Sequence, residues 1–235
     1  MKPTLDFSLS QYARTAGVLL LISFVGGGLG EFLILSRLMV SGDAAATASN
    51  IRSSEFLFRF GFAAYLLEAI CDVTLAFVFY KLLEPVHKGL AQLTVLLGLA
   101  STLTFAFSEF FYYATILVLA NSSYLKVFSK EQLDSLGYLL LRFYNHGGGV
   151  FMVFYGLASI IRGYLIIRSG YIPKWVGALL TISGAAFVIR NFLLVLFPAY
   201  VSNYYMLPMV LTIFCMSIWF LVKGVKTNTS PLGKA

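Results

Sequence analysis

The sequence predicts an all-α integral membrane protein, a helical bundle with about six transmembrane helices. Hydrophobic residues make up 59% of the 235 residues and charged residues only 11%, whereas soluble domains carry about 25% charged residues. Apolar runs recur along the chain, each with the roughly 18 or more residues that a helix needs to cross a hydrocarbon core. Helices are the expected elements because lipid offers no hydrogen bonds to an exposed backbone.

Six apolar segments of a single transmembrane domain are predicted as helices. They comprise residues 12–35, 56–80, 90–120, 136–167, 175–197 and 206–222. The first segment is longer than the apolar core of a signal peptide, about 7 to 15 residues, so we expect it to remain in the protein. Segments 36–55 and 121–135 are more polar and are predicted to be extracytoplasmic loops with short helical segments. Asp43 and Ser129 are the candidate helix caps within them.

The positions of lysine and arginine predict the orientation, because cytoplasmic loops carry an excess of both. The richer side would hold Lys2, Arg14, Lys81, Lys88, Arg162, Arg168, Lys174, Lys223, Lys226 and Lys234. The poorer side would hold Arg37, Arg52, Arg59, Lys126 and Lys130. Both termini are therefore predicted to be cytoplasmic, with an even number of crossings, and six crossings fit. Arg162 is expected to extend its long side chain to the interface.

The formal net charge of +7 raises the question of nucleic-acid binding. The basic residues cluster at the ends of apolar runs, and no basic face interleaved with aromatic residues occurs. Membrane lipids are therefore the expected partners and nucleic acid is not. Cys71 and Cys215 lie in separate apolar runs and give no metal or disulfide pattern. The sequence identifies no cofactor, and it leaves a protein partner or a homo-oligomer open.

Polar residues within the apolar segments are the candidate functional residues. They are Glu31, Glu68, Asp72, Glu109, Arg142, Asn145, His146, Arg190 and Asn191. A charge at the bilayer centre costs at least about 2.5 to 3.5 kcal/mol, so these side chains should face one another rather than lipid. The four carboxyl groups outnumber the two arginines, so we expect one carboxyl group to be neutral or an external cation to bind. Glu109 shares a helix face with Tyr112 and Tyr113.

One stretch concentrates these residues with glycines. Arg142 and His146 stand one helical turn apart, on one face, with Asn145 beside them. The following glycines, residues 147–149, lack the lysine of a phosphate-binding loop, so a hinge or a close helix crossing is expected instead. The pair Gly26 and Gly30 is also spaced for a close approach of two helices.

Two blocks of short stretches resemble a bacterial membrane family catalogued as domain of unknown function 4386. The matching stretches are residues 41–48, 50–51, 57–59, 71–73, 82–86, 155–157, 163–166, 168–173 and 175–177. The resemblance implies a polytopic protein of the bacterial cytoplasmic membrane with six or a similar number of helices. It implies no activity and no residue role. Gly42, Gly170 and Pro173 fall in turns, where an architectural role is expected.

Three functions are compatible with these patterns. In the first, a polar pocket in the outer half of the membrane binds a small ligand or a proton-coupled solute, with Arg142 and Arg190 holding an anion and His146 titrating. In the second, the protein is an accessory or scaffold subunit whose buried ion pairs are purely structural. In the third, His146 with Glu109 or Glu68 forms the acid/base or metal site of a membrane enzyme. The third is weaker because no known catalytic motif occurs, and no catalytic residue or metal site is assigned.

Overall fold

The computed structural model describes residues 8–120 and 122–225, apart from the side chain of Asn203. Among these residues there are helices and connecting turns but no β-strand. Three of the basic residues used to predict the orientation, Lys2, Lys226 and Lys234, lie outside the described residues. The fold class is therefore helical, as the apolar runs predict.

Six helices, labelled here in chain order, carry most of the chain. They are α1 (Leu9–Gly28, continuing as a π-helix over Leu29–Leu35 and an α-helical turn over Ser36–Leu38), α2 (Ala44–Ser53), α3 (Glu55–Leu119), α4 (Lys130–Ser169), α5 (Lys174–Leu196) and α6 (Leu207–Val222). Short 3₁₀ turns lie at Ser123–Leu125, Pro198–Tyr200 and Asn203–Met206.

Helix α3 consists of two helical arms that meet at His87. Pro85 lacks a backbone N–H, which removes one hydrogen bond of the helix, and His87 leaves the helical region with φ −161° and ψ 99°. The Nδ1 atom of His87 then accepts a hydrogen bond from the backbone N–H of Leu90 at 3.1 Å. The imidazole thus caps the second arm in the way that a short polar side chain caps an ordinary helix. The sequence pattern instead predicts a turn over residues 81–89.

The contacts between the two arms of α3 show that they run antiparallel. Phe58 of the first arm stacks on Tyr112 of the second with ring centroids 4.1 Å apart. Seven residues later, Tyr65 meets Phe105, seven residues earlier in the second arm, at 5.9 Å. The paired residue numbers converge on the Pro85–His87 region, where the chain reverses.

Local hydrogen bonds fix the starts of α2 and α4. Asp43 Oδ1 accepts a hydrogen bond from the backbone N–H of Ala46 at 2.8 Å, which confirms this predicted cap. At α4, Ser129 and Gln132 form a reciprocal capping box, with the Ser129 N–H donating to Gln132 Oε1 at 2.8 Å and the Gln132 N–H to Ser129 Oγ at 3.3 Å. The helix therefore begins at Lys130, six residues before the apolar run that predicts it.

Two of the turn glycines have the backbone conformation that favours glycine. Gly42 has φ 78° and Gly170 has φ 74°, both in the left-handed region that side chains with a Cβ rarely adopt. Pro173 follows, with an extended backbone, as the residue before α5. The architectural role expected for these turn residues is confirmed at both glycines.

The chain forms two compact units. The first unit comprises the residues up to Ile22, Cys71–Ser101 and the residues from Met152 onward, and the second unit comprises Ser23–Ile70 and Thr102–Phe151. Each unit has its own cluster of buried apolar side chains.

In the first unit, α4 and α5 approach each other through two pairs of glycines. A Cβ atom on Gly184 would lie 2.5 Å from the carbonyl oxygen of Gly156, and a Cβ atom on Gly177 would lie 2.5 Å from that of Gly163. Real side chains do not tolerate such distances, so the backbones can pack this closely because all four residues are glycine.

Five helical segments are long and apolar enough to cross a membrane. They are Leu9–Leu38, Glu55–Leu119, Lys130–Ser169, Lys174–Leu196 and Tyr204–Val222. Large apolar side chains on them face outward, including Phe56 and Val195, which are 82% and 79% exposed. Each arm of α3 has about the length, roughly 48 Å at 1.5 Å per residue, to cross a bilayer separately.

Candidate functional site

The second unit brings together three carboxyl groups and three tyrosines, here named the carboxyl–tyrosine cluster. Its members are Glu31 from α1, Tyr65 and Glu68 from the first arm of α3, Glu109 and Tyr112 from its second arm, and Tyr144 from α4. Four helical segments therefore contribute to it. The cluster unites three of the nine candidate residues that the sequence predicts.

Glu31 lies in the π-helical part of α1, a rare geometry that recurs at functional sites. Its Oε2 atom accepts hydrogen bonds from the hydroxyl groups of Tyr65 at 3.2 Å and Tyr144 at 3.3 Å. Both tyrosines are buried, whereas Glu31 itself lies at the surface of the unit. The neighbouring Gly30 makes this contact possible, because a Cβ atom there would overlap the ring of Tyr65.

Glu109 is a buried carboxyl group of the cluster that lacks hydrogen-bond partners in the part of the chain that the structure describes. Its side chain is buried, with the residue 2% exposed, and neither carboxyl oxygen has a hydrogen-bond partner within the described residues. The groups that act on it electrostatically are the carboxyl groups of Glu68 and Glu31, which repel negative charge. An ionised carboxylate at this position would therefore bear the desolvation cost of several kcal/mol that buried ions carry, without a balancing cation.

Glu68 is half-buried and faces α1. A Cβ atom on Gly27 would lie 2.7 Å from Glu68 Oε2, and one on Gly26 would lie 3.0 Å from the carbonyl oxygen of Ala64. The glycines of α1 therefore let the first arm of α3 pack against its backbone, as the spacing of Gly26 and Gly30 predicts. The result is that the Glu68 carboxyl group lies against the helix that carries Glu31.

The three tyrosines of the cluster pack on one another. The ring centroids lie 5.6 Å apart for Tyr65 and Tyr112, 5.8 Å for Tyr65 and Tyr144, and 5.3 Å for Tyr112 and Tyr144. The Tyr112 hydroxyl donates to the carbonyl oxygen of Phe58 at 3.0 Å, passing over Gly61, where a Cβ atom would lie 2.7 Å from it. The rings thus fill the space among the carboxyl groups and supply neutral hydrogen-bond donors to one of them.

Sequence reasoning identified Tyr112 as sharing a face with Glu109 but missed Tyr65 and Tyr144. A signal was available for Tyr65, because it precedes Glu68 by three residues and so shares its helix face. Tyr113, predicted on the same face as Glu109, is exposed and instead meets Phe62 at 4.9 Å between ring centroids.

The polar stretch of α4 does not face the carboxyl groups. Arg142, Asn145 and His146 are all exposed. The His146 Nδ1 atom lies 2.8 Å from the Arg142 carbonyl oxygen of its own helix, and Asn145 Nδ2 donates to the Met39 sulfur at 3.4 Å. The reason is helical periodicity, since the buried face of this part of α4 carries the side chains Leu141 and Tyr144.

The ion pairs recorded in the structure lie elsewhere. They join Arg52 to Asp134 at 2.6 Å, Arg59 to Glu55 at 2.7 Å, and Lys81 to Glu84 at 3.0 Å. Over residues 8–120 and 122–225, these pairs include neither Arg142 nor Glu31 nor Glu109. The carboxyl–tyrosine cluster is therefore held by hydrogen bonds and ring packing.

The remaining three candidate residues, Asp72, Arg190 and Asn191, belong to the first unit. Arg190 Nη1 donates to Asn191 Oδ1 at 3.4 Å, and Asn191 Nδ2 donates to the carbonyl oxygen of Phe187 at 2.8 Å. Arg190 Nε is buried and, as far as the structure describes the chain, has no acceptor. Asp72 is half-buried and acts electrostatically on Arg162.

Arg162 is buried, contrary to the prediction that it extends to the interface. The residue is 6% exposed, and its Nη2 atom donates to the carbonyl oxygen of Thr94 at 3.3 Å. The guanidinium carbon lies 5.0 Å from the ring centroid of Phe79, within the range of a cation–π interaction. Thr94 and Phe79 lie on the two arms of α3, so α4 packs this side chain against both.

The glycines after His146 allow a close helix crossing. A Cβ atom on Gly147 would lie 2.8 Å from the Cβ atom of Ser108 in the second arm of α3. Helix α4 continues through residues 147–149, so the structure supports the crossing and not a hinge. Ser108 directly precedes Glu109, and the crossing therefore brings α4 beside the cluster.

A metal site is not among the arrangements found. No group of three or more His, Cys, Asp or Glu side chains that could hold a metal ion occurs in the part of the chain that the structure describes. The chemistry that the cluster offers is that of carboxyl and phenol groups, which exchange protons and accept or donate hydrogen bonds.

Comparison with known proteins places the chain in a family. A protein from Archaeoglobus fulgidus, described as an uncharacterized protein, is 28% identical over 162 residues, which cover 68% of this chain and 80% of the relative. No solved structure matches. A family model described as Domain of unknown function (DUF4386) matches residues 15–224. The chain therefore belongs to this family.

Proposed function

We propose that this protein is a multi-pass protein of the cytoplasmic membrane that binds protons reversibly at the carboxyl–tyrosine cluster, and that this binding is linked to movement of a small solute. The observation that carries the proposal is the buried carboxyl group of Glu109, whose oxygens have no hydrogen-bond partner among the described residues. Ionisable groups within membrane segments are costly and commonly mark proton or substrate pathways.

The membrane location is supported by the five long apolar helices. Because α3 has two antiparallel arms joined at His87, we propose six crossings in place of five. An even number of crossings agrees with the excess of lysine and arginine that the sequence assigns to the side of the termini. Both termini would then be cytoplasmic.

Protons fit the cluster better than a permanently charged ligand does. The groups facing Glu109 are Glu31, Glu68 and the three tyrosines. An anion would be repelled by the carboxyl groups. A metal cation would need several carboxylate oxygens around one point, and no group of three or more His, Cys, Asp or Glu side chains among the described residues is placed to hold one. A proton on Glu109 removes its repulsion with the other two carboxyl groups and makes it a hydrogen-bond donor.

Glu31 gives the proton a route to the buried group. It lies at the surface of the unit while its carboxylate contacts the buried hydroxyl groups of Tyr65 and Tyr144. Those tyrosines pack against Tyr112, which stands one helical turn from Glu109. The hydrogen bonds carry this route from Glu31 to the hydroxyl groups of Tyr65 and Tyr144. The last step to Glu109, whose oxygens have no hydrogen-bond partner among the described residues, would need an intervening water molecule.

The other two predicted functions have less support. A purely structural network of buried ion pairs does not account for Glu109, which has no cation in contact among the described residues. A membrane enzyme that uses His146 needs a carboxyl group near the imidazole, yet the contact recorded for the ring is the carbonyl oxygen of Arg142.

Infrared difference spectroscopy of the purified protein between acid and alkaline buffer tests proton binding. A buried protonated carboxyl group has a carbonyl band distinct from that of the carboxylate, and we expect wild type to show this band and Glu109→Gln to lose it. Glu131→Gln is the matched control, because Glu131 is an exposed carboxyl group at the start of α4 whose partner is Ser129. An unchanged band in Glu109→Gln would overturn the assignment.

Reconstituted vesicles test the link to transport. With a pH-sensitive dye inside, we expect an imposed pH gradient to dissipate faster with wild type than with Glu109→Gln, provided that the solute is present. If wild type and Glu109→Gln give equal rates in a solute screen while the infrared band is lost in the variant, proton binding stands and the transport part is wrong. If sodium and not pH shifts the band, the cluster binds a cation.

A further inference from the structure

A groove lies on the surface of the first unit, where the start of α5 meets the second half of α6. Its volume is about 310 Å³, within the size range of small-molecule sites. It is lined almost entirely by apolar atoms, from Trp175, Phe214, Cys215, Ile218, Trp219, Val222 and Lys223. The carboxyl–tyrosine cluster of the second unit does not contribute to it.

The long wall of the groove has the dimensions of part of an acyl chain. Phe214, Ile218 and Val222 repeat at four-residue intervals, so they form one stripe along α6. From the first to the last, this stripe extends about 12 Å at 1.5 Å per residue. All three side chains are more than 40% exposed, which leaves an apolar channel open to the surroundings of the helix.

One end of the groove carries a lysine and two indole rings. The exposed Lys223 follows the last residue of α6 and places a cation there. The indoles of Trp175 and Trp219 stand perpendicular, with ring centroids 5.6 Å apart.

We propose that this groove binds one phospholipid with an anionic head group, an inference that rests on the membrane location given under the proposed function. An acyl chain would lie along the stripe of α6, and the phosphate would lie near Lys223. Tryptophan and lysine together at the end of a membrane helix are typical of the level where head groups lie.

Charge complementarity favours a lipid over a second protein chain. Lys174, exposed beside Trp175, adds a second cation at the same end, and the described lining contains no carboxyl group to receive a basic partner. The predicted cytoplasmic orientation of the start of α5 and the end of α6 places this end at the leaflet surface that attracts basic residues to anionic lipids.

Native mass spectrometry of the delipidated protein in detergent tests the proposal. The probes are phosphatidylglycerol and phosphatidylcholine with identical acyl chains. We expect one phosphatidylglycerol to bind at least about fivefold more tightly than phosphatidylcholine, since one basic residue has about that effect on an anionic lipid, and the double variant Lys174→Gln/Lys223→Gln to abolish this preference. Lys126→Gln is the matched control, because Lys126 is an exposed lysine of the second unit.

A second variant separates the groove from surface charge alone. Ile218→Trp should fill the channel and weaken binding of both lipids, while its circular dichroism stays that of wild type. Equal binding of the two lipids to wild type, retention of the preference in Lys174→Gln/Lys223→Gln, or a dimer in place of the lipid adduct would overturn the proposal. If lipid binding fails while the Glu109 infrared band is present, the proton site stands and only this inference is wrong.

Discussion

Two buried ionisable residues, Arg162 in the first unit and Glu109 in the second, differ in the groups that surround their charge. Arg162 donates to the Thr94 carbonyl oxygen, lies over the Phe79 ring, and has the negative charge of Asp72 acting on it. Glu109 has no hydrogen bond among the described residues and has two further carboxyl groups acting on it. Both residues are nearly inaccessible, with exposures of 6% and 2%.

The difference separates a structural charge from a reversible one. Arginine stays protonated in proteins, so a buried guanidinium must be compensated permanently. The Thr94 carbonyl oxygen, the Phe79 ring and the Asp72 charge compensate Arg162 in part, while its Nε atom has no acceptor among the described residues. A carboxyl group can become neutral instead, so a site without compensation is tolerable when the proton is available. We therefore expect Arg162 to contribute to the stability of the fold, and Glu109 to bind and release a proton.

Removal of the Arg162 charge should have the largest effect on stability. Arg162→Met removes the buried guanidinium together with its hydrogen bond to the Thr94 carbonyl oxygen and its contact with the Phe79 ring, and we expect the free energy of unfolding to fall by about 3 kcal/mol, the upper end of ordinary single substitutions. Titration of the purified protein with sodium dodecyl sulfate, followed by circular dichroism, measures this change. Asp72→Asn in the Arg162→Met background should recover part of the loss, and wild-type stability of Arg162→Met alone would contradict the prediction.

A substitution that forces α4 and α5 apart should have the next largest effect on stability. The glycine contact between these helices lies next to Arg162 in the sequence. A Cβ atom at Gly177 would lie 2.5 Å from the Gly163 carbonyl oxygen, so Gly177→Ala must displace backbone. We expect a loss of about 2 kcal/mol, typical of overpacking. Gly28→Ala is the matched control, because a Cβ atom there would have no neighbour within 4 Å and alanine favours a helix. A larger loss in the control would mean that packing does not decide the effect.

Replacement of Glu109 should change stability in the opposite direction. Glu109→Leu removes a buried polar group that has no partner among the described residues, and we expect the free energy of unfolding to rise by about 1 kcal/mol, the lower end of the cost of an unsatisfied buried group. The same detergent titration measures it. Tyr112→Phe serves as the comparison, because that hydroxyl donates to the Phe58 carbonyl oxygen and its removal should destabilise. Destabilisation by Glu109→Leu would show that the carboxyl group has a structural partner.

The sequence predicts these two sites unequally well, and the reasons are physical. Helical fold, the caps of α2 and α4 and the glycine contacts depend on neighbouring residues, so local patterns predict them. Which face of a helix is buried depends on the other helices. Arg142 and His146 were therefore expected to face the carboxyl groups, whereas Leu141 and Tyr144 occupy the buried face. Likewise, Tyr65 and Tyr112 stand three residues from a glutamate of their own helix, whereas no local pattern distinguishes Tyr144 among the 14 tyrosines of the chain.

The smallest effect on stability is expected at Arg142 and His146, exposed polar residues of α4. Arg142→Gln and His146→Ala alter side chains that are exposed and whose recorded partners lie outside the carboxyl–tyrosine cluster, so each should change the free energy of unfolding by no more than about 0.5 kcal/mol. The infrared band assigned to Glu109 should also keep its dependence on pH in both variants. A band shifted by His146→Ala but not by Arg142→Gln would show that the imidazole and the carboxyl cluster are coupled, and proton binding would then involve α4 as well as Glu31 and Glu109.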